Sequence, residues 1–230
     1  KEFGKPVVNV SGIELKGVDF PSVTSDYRAL AGLAVQHFSE RGYRQLAYYG
    51  LEDLPYVTRH CEAFVKVAEQ QELSCAVYQP SQKPKASNWQ KRQKSLIAWL
   101  NGLPKPIGIW TWGSMRGRSL LNACLEGGII VPEQVAVLAG DDDDLLCQVC
   151  TPPLSGMVTP AEQIGYQAAR MLHAFIEGEA PPEQKLLITE AEVNARASTE
   201  TLAFSDPEVR KALHYIREHL QDQTLQVRDL

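Results

Sequence analysis

Apolar positions along the chain change their period several times, and each change marks an element. Val7, Val8 and Val10, behind Pro6, read as a strand that runs into a loop holding Gly12, Gly17 and Pro21. From Asp26, a residue suited to an N-cap, Leu30, Ala31, Leu33, Ala34, Val35 and Phe38 recur at helical spacing as far as Arg41, and Gly42 supplies the stop. Arg44 to Tyr49 reads as the next strand. Thr58 is placed to cap a helix through Glu72, with Phe64, Val65 and Ala68 inward, and Cys75 to Tyr78 follows as a short strand. The polar stretch Gln79 to Lys91 reads as a surface loop leading into a helix that buries Leu96, Ile97 and Leu100. Ile107 to Trp112 is a strand, and Ser114 opens a helix to Glu126 that Gly127 and Gly128 end.

The run from Val135 to Ala139 has no polar face, as expected of a strand buried on both sides of a parallel sheet. It ends abruptly in Asp141, Asp142, Asp143 and Asp144, ahead of a helix beginning near Leu145. After Pro152 and Pro153 a strand at Ser155 to Thr159 leads to Pro160, in the first turn of a helix that turns Ile164, Ala168, Met171, Leu172 and Phe175 to one side. A last extended segment runs from Lys185 to Asn194. Alternating helices and strands of this length define an α/β fold, a doubly wound parallel sheet with helices on both faces, whose first lobe spans residues 27–144.

The remaining elements leave a deficit. The helix at 161–177 and the strands near 7, 157 and 187 need a sheet to lie on, and leaving such side chains in water forfeits roughly 1.5 to 3 kcal/mol each. Residues 1–26 and 145–200 are therefore expected to be crossovers and pieces of an incomplete second lobe, covered by a partner, a second copy or further chain. In residues 201–230, Val209, Ala212, Leu213, Ile216 and Leu220 predict an amphipathic helix behind Asp206 and Pro207, with a second helix opening at Val227.

Composition narrows the function classes. Hydrophobic residues at 44% and charged residues at 22% are those of an ordinary globular protein, and a net charge of −5 opposes non-specific attraction to nucleic acid. No apolar run approaches the roughly 18 residues that span a membrane, so a cytoplasmic location is expected. Cysteines 61, 75, 124, 147 and 150 suit reduced thiols. Cys147 and Cys150 form a lone C-x-x-C with no second pair, so neither metal nor cofactor is expected. The chemistry instead gathers at Asp141, because ligands of open α/β sheets sit outside the carboxyl ends of the strands. The competing reading makes the four aspartates a solvated turn and helix cap.

Two stretches carry a family resemblance. VPEQVAVLAGDDDD followed by TPPLSGMVTPAEQIGYQAARMLHAFIEGE resembles the sugar-sensing domain of the Lac-repressor (LacI/GalR) family, and PSVTSDYRALAGLAVQHFSERGYRQLAYYG is similar to its upstream Asp-helix-Gly-Tyr-Arg segment. The tail DPEVRKALHYIREHLQDQTLQVRDL resembles the first helix of an AraC-type helix-turn-helix domain, and that combination is the arrangement of xylose-operon regulators. The resemblance implies a periplasmic-binding-protein-like sensor of two doubly wound lobes, truncated at both ends. It implies a sugar effector, D-xylose or a related pentose, and a homodimer that binds an operator through the C-terminal domain. It implies a transcriptional regulator and not an enzyme.

On that resemblance Asp141 is the carboxylate that holds sugar hydroxyls, with Asp142 as the weaker partner. His60, four residues before Phe64, stands in the place of a sugar-contacting arginine, with Arg59 beside it; the two point about 100° apart on a helix and cannot share one role. Trp112 could stack on a sugar ring, although a core tryptophan is the commoner fate. Ser114 stands where the family places a second acidic contact, so Ser114→Asp is expected to tighten xylose binding. Two alternatives remain: an enzyme holding Mg²⁺ on the Asp141 cluster, and a periplasmic sugar carrier.

Overall fold

A computed structural model of the chain describes residues 5–14, 17, 20–51, 54–80, 89–179 and 185–200, with residues 208, 209, 212, 215, 216 and 226. Its main body is a six-stranded sheet between two helical layers. The strands are β2 (Gln45–Tyr49), β3 (Ser74–Tyr78), β4 (Ile107–Thr111), β5 (Val135–Ala139), β6 (Ser155–Val158) and β8 (Glu192–Asn194), preceded in the chain by β1 (Ser22–Ser25). The spatial order is β3-β2-β4-β5-β6-β8, all parallel except for the antiparallel β6–β8 pair.

Strand direction and burial follow from sequence. β4 and β5 are buried at every position because helices cover both faces, which is why their sequences IGIWT and VAVLA show no polar alternation. On one face α1 (Tyr27–Glu40) and α2 (Pro55–Gln70) bring Phe38 and Phe64 onto Tyr48, Trp110 and Leu138. On the other, α3 (Trp89–Gly102) and α4 (Ser114–Glu126) bury Leu96, Leu100 and Leu120 against Ile109 and Val137. The carboxyl ends of β2, β4 and β5 are flush, Tyr49 lying beside Thr111 and Thr111 beside Ala139, whereas β6 begins at this level, Gly156 pairing with Ala139, and runs two residues beyond it. From β2 the chain winds outward to β3 and then crosses back to β4, so the sheet's topological switch lies between β2 and β4.

Several expected elements take another form. Asp26 does cap α1, accepting from the amides of Arg28 and Ala29. Thr58 does not cap α2; that helix starts at Pro55, whose lost N–H costs nothing there, and the Thr58 hydroxyl donates to the Leu54 carbonyl. Val7 to Val10 makes a single bridge, Asn9 to Ser22, and no strand. The segment 185–194 splits into β7 (Lys185–Ile188) and β8, which belong to different sheets. Met157 lies in β6 of the main sheet, so the lobe extends past residue 144.

The rest of the deficit is met in miniature. β1 and β7 form a two-stranded parallel sheet, and α6 (Ala161–Ile176) lies on it, burying Ala168 and Met171 against Val23 and Ile188. Coverage is partial, since Tyr166 and Ile176 of α6 stay 66% and 64% exposed. In the tail, residues 208, 209, 212, 215 and 216 are helical; Asp206, Pro207, Leu213, Leu220 and the expected second helix at Val227 lie outside the described residues. No helix among the described residues is long and apolar enough to cross a membrane.

Candidate functional site at the carboxyl edge of the sheet

Past the flush strand ends the chain turns sharply, and the turns after β4 and β5 touch. Gly140 is required there, because a Cβ would stand 2.5 Å from the Trp112 carbonyl oxygen and 2.8 Å from that of Thr111. This close approach sets Asp141 over Gly113, at whose Cβ position Asp141 Oδ2 would be 2.8 Å away. Asp141 Oδ1 accepts from the Ser114 amide at 2.7 Å and from the Ser114 hydroxyl. The carboxylate thereby satisfies an N-terminal amide of α4, a helix whose own N-cap, Gly113, has no side chain to offer. Asp141 remains exposed, and Oδ2 has no hydrogen-bond partner among the described residues, so one acceptor oxygen is fixed in place and open.

The next aspartate does different work. Asp142 is 8% exposed at its side chain and receives the Arg196 guanidinium on both oxygens, at 2.7 and 3.2 Å, plus Asn194 Nδ2 at 2.9 Å. Burial pushes its pKa up, but the hydrogen bonds from Arg196 and Asn194 and the guanidinium charge outweigh this and hold the carboxyl below its ordinary value. Arg196 is pushed up in turn, chiefly by its bond to Asp142. Both Asp142 oxygens are therefore engaged inside the protein. Asp143 caps α5 (Asp144–Val149) through the Leu146 amide, and Asp144 pairs with Arg196 and Gln148.

Arg196 also tethers the segment that follows β8. Ser155 Oγ donates to the Arg196 carbonyl and lies 2.7 Å from Thr199 Oγ1, which meets His37 Nε2 at 2.9 Å. Ser198 pairs with β5, its carbonyl accepting from the Val137 amide and its hydroxyl donating to the Val137 carbonyl. Ser155, Ser198 and Thr199 are wholly buried, and the network leaves none of their hydroxyls unpartnered.

On the α2 side of the switch, Trp112 is half-buried against Tyr56, ring centroids 5.3 Å apart, and stands edge-on to His60 at 5.0 Å. His60 is not at the crevice. It is 1% exposed, lies 4.0 Å from the Trp110 ring, bonds Tyr48 Oη through Nδ1 at 2.9 Å, and burial drives its pKa to about 3. A neutral core imidazole cannot reach a ligand, so its candidacy is withdrawn. Arg59, one residue earlier, turns outward, donating to the Gly12 carbonyl at 2.8 Å and pairing with Glu14 at 3.1 Å. It lines a cavity of about 600 Å³ between the β1–β7 sheet and α1–α2, shared with Asp26, Tyr27 and Lys185.

The carboxyl edge of the sheet thus carries Asp141 bonded to Ser114 and, separately, Trp112 packed on Tyr56, a residue absent from the sequence reading. The available signal was its place in the first turn of α2, a helix that begins at the same sheet edge. Ser114 is 3% exposed and pressed on Asp141, so an aspartate there would set two carboxylates in contact. The expectation that Ser114→Asp restores a sugar contact is corrected accordingly. The Mg²⁺ reading loses its ligands too: Asp142, Asp143 and Asp144 are bonded within the protein, and among the described residues no group of three His, Cys, Asp or Glu side chains is arranged to hold a metal. Cys147 is buried beside Asp142, which with desolvation pushes its thiol up to about 12, far from a reactive thiolate.

A doubly wound parallel domain whose carboxyl edge carries a fixed, half-open carboxylate after β5 and an aromatic pair beside its switch point has the layout of domains that bind small polar ligands. The chain belongs to the periplasmic-binding-protein-like domain family, whose profile matches residues 35–199. It is 35% identical over 201 residues to the xylose operon regulatory protein of Haemophilus influenzae, covering 86% of this chain and 52% of that protein. To the xylose operon regulatory protein of Escherichia coli K12 it is 33% identical over 220 residues, 93% of this chain and 56% of the other. Among solved structures it is similar to the xylose-binding transcription activator xylR, with 32% identity and a TM-score of 0.80 over 97% of this chain and 60% of that one. The chain spans about half the length of the curated relatives it matches.

Proposed function

We propose that this chain is the effector-sensing part of a transcriptional regulator of carbohydrate catabolism, that its effector is D-xylose or a related pentose, and that it binds without turning the sugar over. The observation that carries this reading is the similarity to the xylose-binding activator across 97% of the chain. The geometry supports it. Asp141 Oδ2 is free to accept from a sugar hydroxyl while Ser114 holds the carboxylate in place, and the Trp112 ring, propped by the tilted Tyr56 ring, offers an apolar face to the C–H side of a sugar. Arg59 is the remaining candidate contact, from the neighbouring cavity.

In this reading the regulator acts in the cytoplasm as a homodimer, and it reaches an operator through a helix-turn-helix domain beginning in residues 201–230. The names of the relatives and the helical residues 208, 209, 212, 215 and 216 support that assignment. Titration of the full-length regulator with D-xylose by calorimetry tests it. Asp141→Asn keeps the size and removes the charge, so affinity should fall by 1.5 to 3 kcal/mol, roughly 10- to 150-fold. Equal affinity in the variant would return Asp141 to a purely capping role, and absence of heat with any pentose would refute the sensor reading.

A further inference from the structure

We propose that the recess between the N-terminal turns of α3 and α4 is a second binding site, for a small phosphate ester. Both helices run back against the parallel strands, so both begin at the carboxyl edge of the sheet, on the face opposite α1 and α2. Helix N-termini carry partial positive charge and favour acids. Neither helix has an acidic residue in its first turn, and α3 instead opens with Lys91 and Arg92 while α4 opens with Arg116 and Arg118 close behind. In a chain of net charge −5 this arrangement opposes the helix dipoles twice over, and it creates a concentrated positive field.

The recess has a volume of about 370 Å³, in the range of small-ligand pockets. Arg92, Arg116 and Arg118 line it, none of them in an ion pair among the described residues, and no carboxylate of those residues lines it. A second, independent observation points the same way. Gln93, also in the lining, is 5% exposed, and its Nε2 has no hydrogen-bond partner among the described residues. A buried donor left unmade is costly, and an acceptor in the recess would complete it. Three guanidinium groups and an amide N–H supply more donors than one carboxylate can use, but match a phosphate's three oxygens. Tyr78 and the 59% exposed Trp89 form the apolar part of the wall, suited to the organic portion of the ester.

Calorimetry at low salt, with saturating D-xylose present to occupy the sugar site, tests this with inorganic phosphate, a pentose phosphate and adenosine monophosphate, using adenosine as the uncharged control. The expected result is saturable binding of at least one phosphate ester, weakened about tenfold or more by Arg92→Gln with Arg116→Gln. Gln93→Met should weaken it too, without lowering the melting temperature of the unliganded protein. Sugar binding at Asp141 should be unaffected by all three replacements, which separates this proposal from the sugar reading. Failure of every phosphate probe at millimolar concentration would overturn it, as would binding that survives the arginine replacements. So would binding of duplex DNA through these arginines while the esters remain outside.

Discussion

Replacing His60 with glutamine should flatten the acid sensitivity of the fold. His60 and His37 are both buried, and desolvation holds them neutral, with pKa values near 3 and near 4; Arg41 adds to the effect at His37. Between the ordinary value of 6.5 and those depressed values the unfolded chain binds protons that the folded chain refuses. Stability is therefore intact above pH 6.5 and is lost as pH falls below it. At about pH 4.5 each histidine lies about two units into this window, which at about 1.4 kcal/mol per unit removes roughly 2 to 3 kcal/mol apiece, or about 5 together. That approaches the whole stability of a marginal domain. Asp142 does not contribute there, because a depressed carboxyl loses its stabilisation only as pH falls below 3.8. Glutamine can still bond Tyr48 Oη but cannot ionise. Urea unfolding at about pH 7.5 and about pH 4.5 should show the wild type losing about 5 kcal/mol and His60→Gln about half that. Equal losses in the two proteins would show that His60 titrates normally and refute the argument.

Arg196→Met should destabilise the domain by about 3 to 5 kcal/mol, because it leaves the buried Asp142 charge unpaired; denaturant midpoints measure it, and a change below about 1 kcal/mol would count against the latch. Gly140→Ala should cost about 1 to 3 kcal/mol, since the added carbon meets two backbone carbonyls that cannot turn aside. Ser114→Asp should weaken xylose binding, not tighten it, and should raise the pH below which binding fails; tighter binding in calorimetry would restore the original alignment argument. Asp144→Asn removes one exposed partner of Arg196 and should change stability by less than about 1 kcal/mol, as thermal melting would show.

Much of this fold is legible because it is redundant in sequence. VAVLA can only be a doubly covered strand, and α1 announces both its cap, Asp26, and its stop, Gly42. β1 and β8 are not legible in the same way: SVTS and EVN are three or four residues long, half polar, and take their pairing from chain distant in sequence. The same distance hides the site's support. Ser114 and Asp141 are 27 residues apart, and Arg196 lies 54 beyond Asp142, so nothing local links them. His60 was readable after all. Phe64 follows it by four residues on the same helical stripe, and once Phe64 is inward His60 must be inward with it.

The pairing of Ser198 with Val137 has a practical reach. β6 meets β5 only at Leu138 and Ala139, so a few residues past β8 supply the ladder that the lower half of a central strand would otherwise lack. A chimera that joins this sensor to a foreign output module must therefore carry the native chain through at least Thr199. A junction placed at the end of β8 would sever Arg196 from Asp142, unzip one side of β5 and expose His37, whatever linker replaced the missing residues.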